Sequence, residues 1–242
     1  MAIMKHLLQL LALFVFFAPA AHSGDLNNLA ALTQAEFRLV SEDLGAAFSY
    51  KPLAPSSALG ITGFDISFAV TGTDTSKSSS ALTKAGASSG TMDTLLVPKL
   101  YLAKGLPGGW DIAGFVSNLS AINASLVGGE LRYAIVDGGF AAPAVAIRGA
   151  LTSLNGSNQL SMTTRSVDLS VSKGFAIFTP YAGLGQVWVN SNPNAAGLAN
   201  ESFTQSKLFA GANVNFGLLN VAFEGDKTGN TTSWGLKMGL RW

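Results

Sequence analysis

WGLKMGLRW, residues 234–242, decides the fold. Trp234, Leu236, Met238, Leu240 and Trp242 take alternate positions, with Gly235, Lys237, Gly239 and Arg241 between them. A period of two marks a β-strand, whose successive side chains leave opposite faces. One face is wholly apolar, and the other carries glycine and cations. The two tryptophans share the apolar face. At about 3.4 Å per residue and a tilt near 40°, they stand roughly 20 Å apart in height. That approaches the spacing of the aromatic girdles on an outer-membrane barrel, about 25 Å. A soluble sandwich also alternates, but it has no reason to bracket its apolar face with tryptophan.

The same alternation recurs upstream. Phe64, Ile66, Phe68 and Val70 form one apolar set, Val167, Leu169 and Val171 another, and Leu219, Val221 and Phe223 a third. Ten strands follow: 61–72, 93–104, 110–121, 124–136, 141–153, 159–173, 174–190, 204–216, 218–226 and 231–242. Eight or twelve strands also fit the length. The fold class is all-β, an antiparallel up-and-down transmembrane barrel. An even count returns both barrel ends to the periplasmic side. The inner turns are then GLPGG (105–109), DGGF (137–140), Lys173-Gly174 and Gly217, and the long segments 73–92 and 191–203 fall on the outer side. The 73–92 segment, rich in Ser, Thr and Gly, reads as a flexible loop. Pro98, Pro143 and Pro180 require strand ends or bulges, because a closed sheet has no free edge for a missing N–H.

Composition agrees. Only 12% of the 242 residues are charged, against about 25% in soluble domains. Neither a disordered polymer nor a nucleic-acid binder fits, since charge excess and basic patch are both lacking. The absence of cysteine excludes disulfides, thiolate metal sites and a Cys-anchored lipoprotein. No stretch after Gly24 reaches 18 uninterrupted apolar residues, so a spanning helix is excluded.

Residues 1–23 read as a secretory signal peptide: Lys5 supplies the positive charge, Leu7 to Phe17 the apolar core, and Ala21-His22-Ser23 a cleavage pattern before Gly24. Cleavage removes His6 and His22, leaving a processed chain without histidine or cysteine. Omptin proteases, phospholipase barrels and lipid A palmitoyltransferases all rely on a histidine, so a hydrolase of those kinds is not expected. The reading is non-enzymatic, with no cofactor and no metal.

Residues 24–60 precede the barrel of 61–242. Thr33-Gln34-Ala35-Glu36 is a capping box opening a helix to about Ala47, with Phe37, Val40 and Leu44 on one stripe. Such a helix fits the periplasmic rim best, and a plug inside the lumen second. Residues 51–60 read as an extended linker.

The alternation turns Asp65, Lys99, Glu130, Arg132, Arg148, Asp168, Lys207, Glu224, Lys237 and Arg241 inward. Two arrangements suit them: a salt-bridged network holding the barrel closed, or a narrow, mildly cationic pore. Ten strands lie near the filled end of the size range. Gly128, Gly183, Gly185 and Gly211 are expected to add room along the walls. Lys237, on the wet side, is expected to tolerate truncation to alanine better than Leu236 tolerates arginine.

ALTQAEFRLVSEDLGAAFSYKPL, LGITGFDISFAVTGT, KGFAIFTPYAGLGQVWV and the closing WGLKMGLRW resemble a family of uncharacterised proteobacterial outer-membrane β-barrel proteins. The resemblance covers most of residues 30–242 and implies a barrel in the cell outer membrane with no assigned activity. The last strand is also similar to the signal read by the barrel-assembly machinery, with Trp242 as its final aromatic and Leu240 at the preceding outward position. The expected partners are outer-membrane lipids and, during biogenesis, that machinery and periplasmic chaperones; no nucleic acid is expected. The expected role is structural or surface-binding through 73–92 and 191–203, the alternative a narrow porin-like channel gated by the 33–47 helix.

Overall fold

The computed structural model describes residues 26–87, 93–119, 122–139 and 142–242. The signal peptide read over 1–23 lies outside the described residues. Ten strands form a closed antiparallel barrel: β1 Phe64–Asp74, β2 Thr94–Gly105, β3 Trp110–Leu119, β4 Ala124–Val136, β5 Ala144–Asn155, β6 Leu160–Ser172, β7 Phe178–Pro193, β8 Glu201–Phe216, β9 Leu219–Thr228 and β10 Thr231–Arg241. Each pairs with its neighbours in sequence, and β10 returns to β1 from Asp65↔Arg241 to Thr73↔Ser233. Closure leaves no unpaired sheet edge along that seam.

The period-two pattern sets the wall. On β10, Thr231, Ser233, Gly235, Lys237 and Gly239 are buried, while Trp234 and Trp242 are exposed on the outside. Leu100, Leu102, Leu151, Leu184 and Leu208 are likewise exposed outside. Aromatics ring the short-turn end: the Phe64 and Trp242 rings stack at 5.2 Å, and those of Trp110 and Tyr133 tilt together at 4.7 Å. Among the described residues no helix is long and apolar enough to cross a membrane.

At the turn end, β8 and β9 are joined through Gly217 and Leu218. Gly217 stands at φ 63°, a conformation that costs a side-chain-bearing residue but not glycine. The opposite, loop end carries the β1–β2 and β7–β8 connections. The prolines sit where one flank of a strand is unpaired. The β2–β3 ladder begins at Leu100, beyond Pro98. The β6–β7 ladder begins at Tyr181, beyond Pro180, and Pro143 precedes β5.

Helix α1, Gln34–Phe48, lies inside the barrel, not at the periplasmic rim. The apolar stripe holds in either place, but here Asp43, Gly45 and Ala46, off that stripe, are buried as well. The capping box forms: Thr33 N–H donates to Glu36 at 2.7 Å and Glu36 N–H to Thr33 Oγ1 at 3.3 Å. The Thr33 backbone donor, helped by Lys84, holds the Glu36 carboxyl down at about 2. The cap therefore contributes fully above the ordinary glutamate range and is lost only as pH falls toward about 2.

The 73–92 segment is partly ordered instead of being a flexible loop. Its described part carries helix α2, Ser79–Lys84, which buries Ala81 and Leu82 against Leu26, Leu29 and Phe37. The 191–203 segment shortens, because β7 runs on to Pro193 and β8 starts at Glu201.

Candidate functional site

The lumen is the one place where most of the chain's strand charge converges, and it is occupied along its height. At the loop end, Gln34 donates to the Ala199 carbonyl at 3.2 Å, and Arg38 pairs with Glu201 at 2.9 Å. Lys84 pairs with Glu36 at 2.9 Å, and Asn28 N–H bonds the Ala85 carbonyl at 3.0 Å. Further along the helix, Asp43 accepts from Ser78 and Thr231, each at 2.7 Å, and the Ser41 and Ser191 hydroxyls meet at 2.9 Å. Below the helix the chain continues as an extended strap. Lys207 donates to the Tyr50 carbonyl at 2.6 Å, and Leu53 N–H to Glu224 at 3.1 Å. At the turn end, Ala58 N–H reaches Asp137 and Leu59 N–H reaches Asp111, each at 3.0 Å. Residues 26–60 thus enter at the loop end, descend through the barrel and leave at the turn end to start β1. The segment read as a linker is a lumen strap, buried from Ser49 to Ser56.

The filling has two halves. Toward the loop end it is apolar: Phe37, Val40 and Leu44 pack with Leu82, Leu119, Leu126, Leu154 and Met162. Toward the turn end it is ionic. Lys51 pairs with Asp226 at 2.8 Å, Arg132 with Asp111 and Lys237 with Asp65, each at 2.5 Å. Arg148 Nε lies 2.6 Å from Glu130, with Asp168 at 3.7 Å, and Lys207 lies 3.5 Å from Asp168. Lys99, Glu224 and Arg241 also point inward. Lys99 rests over the Phe115 ring at 4.7 Å without a hydrogen-bond partner among the described residues. Charges taken this far from bulk water persist only when paired or hydrogen-bonded.

Asp111, Asp226 and the strap's Lys51 were missed from sequence. Asp226 shares its parity with Glu224, and Asp111 shares its own with the inward Phe115, so extending the alternation finds both. With them the wall's acids match its bases in number, so the lining is balanced and not mildly cationic. Lys237 is fully buried against Asp65, so its truncation is expected to leave a buried carboxylate without its partner.

The wall glycines do not open space. Gly128 lies opposite Phe115, Gly183 opposite Phe209, and Gly211 opposite Tyr181. A Cβ on any of them would meet that ring, and one on Gly185 would meet Asp168. Gly128, Gly183 and Gly211 are each a seat for a cross-strand aromatic ring. Lysines sit over two of these rings, Lys99 on Phe115 and Lys207 on Phe209. Gly128→Leu should cost about 1–3 kcal/mol by overpacking, read as a lower urea midpoint; an unchanged midpoint would show that the ring can move aside.

Among the described residues no group of three or more His, Asp or Glu side chains could hold a metal ion.

No protein-family model and no curated protein matches the chain. Solved structures that it resembles are barrels. OmpT of Vibrio cholerae, loop L8 deleted, is 14% identical with a TM-score of 0.32, matched over 61% of this chain and 54% of that one. The chain thus spans about half the length of that protein. Ail, the attachment invasion locus protein of Yersinia pestis, is 13% identical with a TM-score of 0.31, over 74% and 98%. The translocator domain of autotransporter NalP from Neisseria meningitidis is 10% identical with a TM-score of 0.35, over 86% and 95%.

Proposed function

We propose that this chain is an integral outer-membrane β-barrel, non-enzymatic, whose lumen is closed by its own residues 26–60. The outward apolar band between aromatic rows supports the membrane placement. The observation that carries closure is the continuous occupation of the lumen from Gln34 at Glu201 to Leu59 at Asp111. Such a barrel acts through its outside. Of the lumen charges Asp65, Lys99, Glu130, Arg132, Arg148, Asp168, Lys207, Glu224, Lys237 and Arg241, three bond the strap directly, Arg132, Lys207 and Glu224, and the others line the wall around it. Trp234 and Trp242 anchor the wall at the two interfaces, and Leu240 with Trp242 presents the assembly signal. Outer-membrane lipids are the resident partners.

Planar-bilayer recording tests closure. The intact protein should show no unitary steps, and deletion of residues 26–58 should produce them. Ser41→Cys with Ser191→Cys ties helix to wall where the hydroxyls stand 2.9 Å apart. Steps in the reduced double variant that vanish on oxidation would replace closure by a gated channel. Steady conductance in both states would overturn the filled lumen itself.

A further inference from the structure

On β6 the odd-numbered residues face outward, and on β7 and β8 the even-numbered ones do. Rising from the turn end, these outward faces are apolar: Val171, Leu169 and Val167 on β6, Ala182 and Leu184 on β7, Ala210 and Leu208 on β8. The next outward residues toward the loop end are Arg165, Gln186 and Ser206. The chemistry of the wall therefore changes at one level, where a bilayer's hydrocarbon gives way to headgroups.

Two rows of the ladder lie just beyond that boundary, on the loop side. Arg165 pairs with Trp188 and Trp188 with Thr204, while Thr163 pairs with Asn190 and Asn190 with Ser202. Arg165, Trp188, Asn190, Ser202 and Thr204 line a recess of about 520 Å³ in the outer wall. Neither row contains a carboxylate. Arg165 has no ion-pair or hydrogen-bond partner among the described residues, unlike the inward arginines Arg132 and Arg148. The Ser202 hydroxyl donates to Asn190 Oδ1, which occupies the amide oxygen and leaves the amide N–H groups as the free donors.

We infer that this recess binds the phosphate of a lipid headgroup in the loop-side leaflet. An unpaired guanidinium offers a fork of donors matched to phosphate oxygens. The Asn190 amide on β7 and the Thr204 hydroxyl on β8 add neutral donors from two further strands. Trp188, 42% exposed, suits the same depth, since indole favours the membrane interface. The inference rests on the proposed membrane placement.

The test uses the full processed chain in phosphatidylcholine nanodiscs doped with phosphatidic acid, released into native mass spectrometry. The expected result is retention of phosphatidic acid over phosphatidylcholine. Arg165→Gln should lower that retention about tenfold or more, the loss of a charged hydrogen-bonding group, and Arg165→Lys should restore part of it. Excess inorganic phosphate should not displace the lipid; displacement would reduce the recess to a free-phosphate site. Equal retention by wild type and Arg165→Gln would overturn the inference while leaving the membrane placement intact. A dimer that dissociates in Arg165→Gln, without lipid preference, would assign the recess to a second copy and overturn it too. Failure of the wild-type chain to enter nanodiscs at all would overturn the membrane placement and the inference with it.

Discussion

Leu100→Arg should leave most of the chain unable to complete its barrel in lipid vesicles. Leu100 is 59% exposed in mid-β2, outward between Phe68 on β1 and Val116 on β3. In a membrane that exposure faces hydrocarbon, and an arginine near the midplane of a barrel costs about 2–4 kcal/mol. Heat-modifiable gel migration and urea titration in vesicles read the effect. The matched variant Thr232→Arg, outward at the loop end of β10, should fold almost as the wild type, because charge costs about 0–1 kcal/mol near the interface. If both variants fold equally well, the outer face does not meet lipid and the membrane placement fails.

Arg148→Met should be the most damaging single change inside the wall. Arg148 is 1% exposed, with Glu130 at 2.6 Å and Asp168 at 3.7 Å. Removing it leaves the buried Glu130 carboxylate without its ion-pair partner and Asp168 with Lys207 alone, and breaking a buried pair from one side costs about 3–5 kcal/mol. The cost comes from the stranded acid more than from lost attraction. Arg148→Met with Glu130→Gln should therefore recover a large part of the loss, because the nearest carboxylate is gone and Lys207 still faces Asp168. Urea midpoints of the single and double variants decide it. A double variant no more stable than the single would show that Arg148 acts by packing, not by charge.

The strands were legible because a period of two survives any tertiary context in which one face is dry and the other wet. The ends of β4 are read correctly at Ala124 and Val136 even though its interior holds Gly128 and Gly129. Where the helix sits was not legible. Phe37, Val40 and Leu44 need an apolar partner, and a barrel rim or a barrel interior supplies one equally. The signal that could have decided was the small face of the same helix. Gly45 packs so tightly on the wall that a Cβ there would stand 2.8 Å from Val189, and a rim helix has no need of such closeness. The glycines misled for a related reason. A glycine in a strand shows that something lies close, but not whether it is solvent or a ring from the next strand.

Residues 26–60 run down the inside of the wall that the following residues build around them. The β1–β10 ladder that closes the sheet therefore closes it around that segment. The strap serves as a mandrel: Glu224 on β9, Lys207 on β8 and Asp111 on β3 each find a backbone group of it at a fixed height. A strand slipping by two residues would keep its apolar outer face yet lose its grip on that central rod. The register of the wall is thus checked from within, by a segment that precedes every strand in the chain.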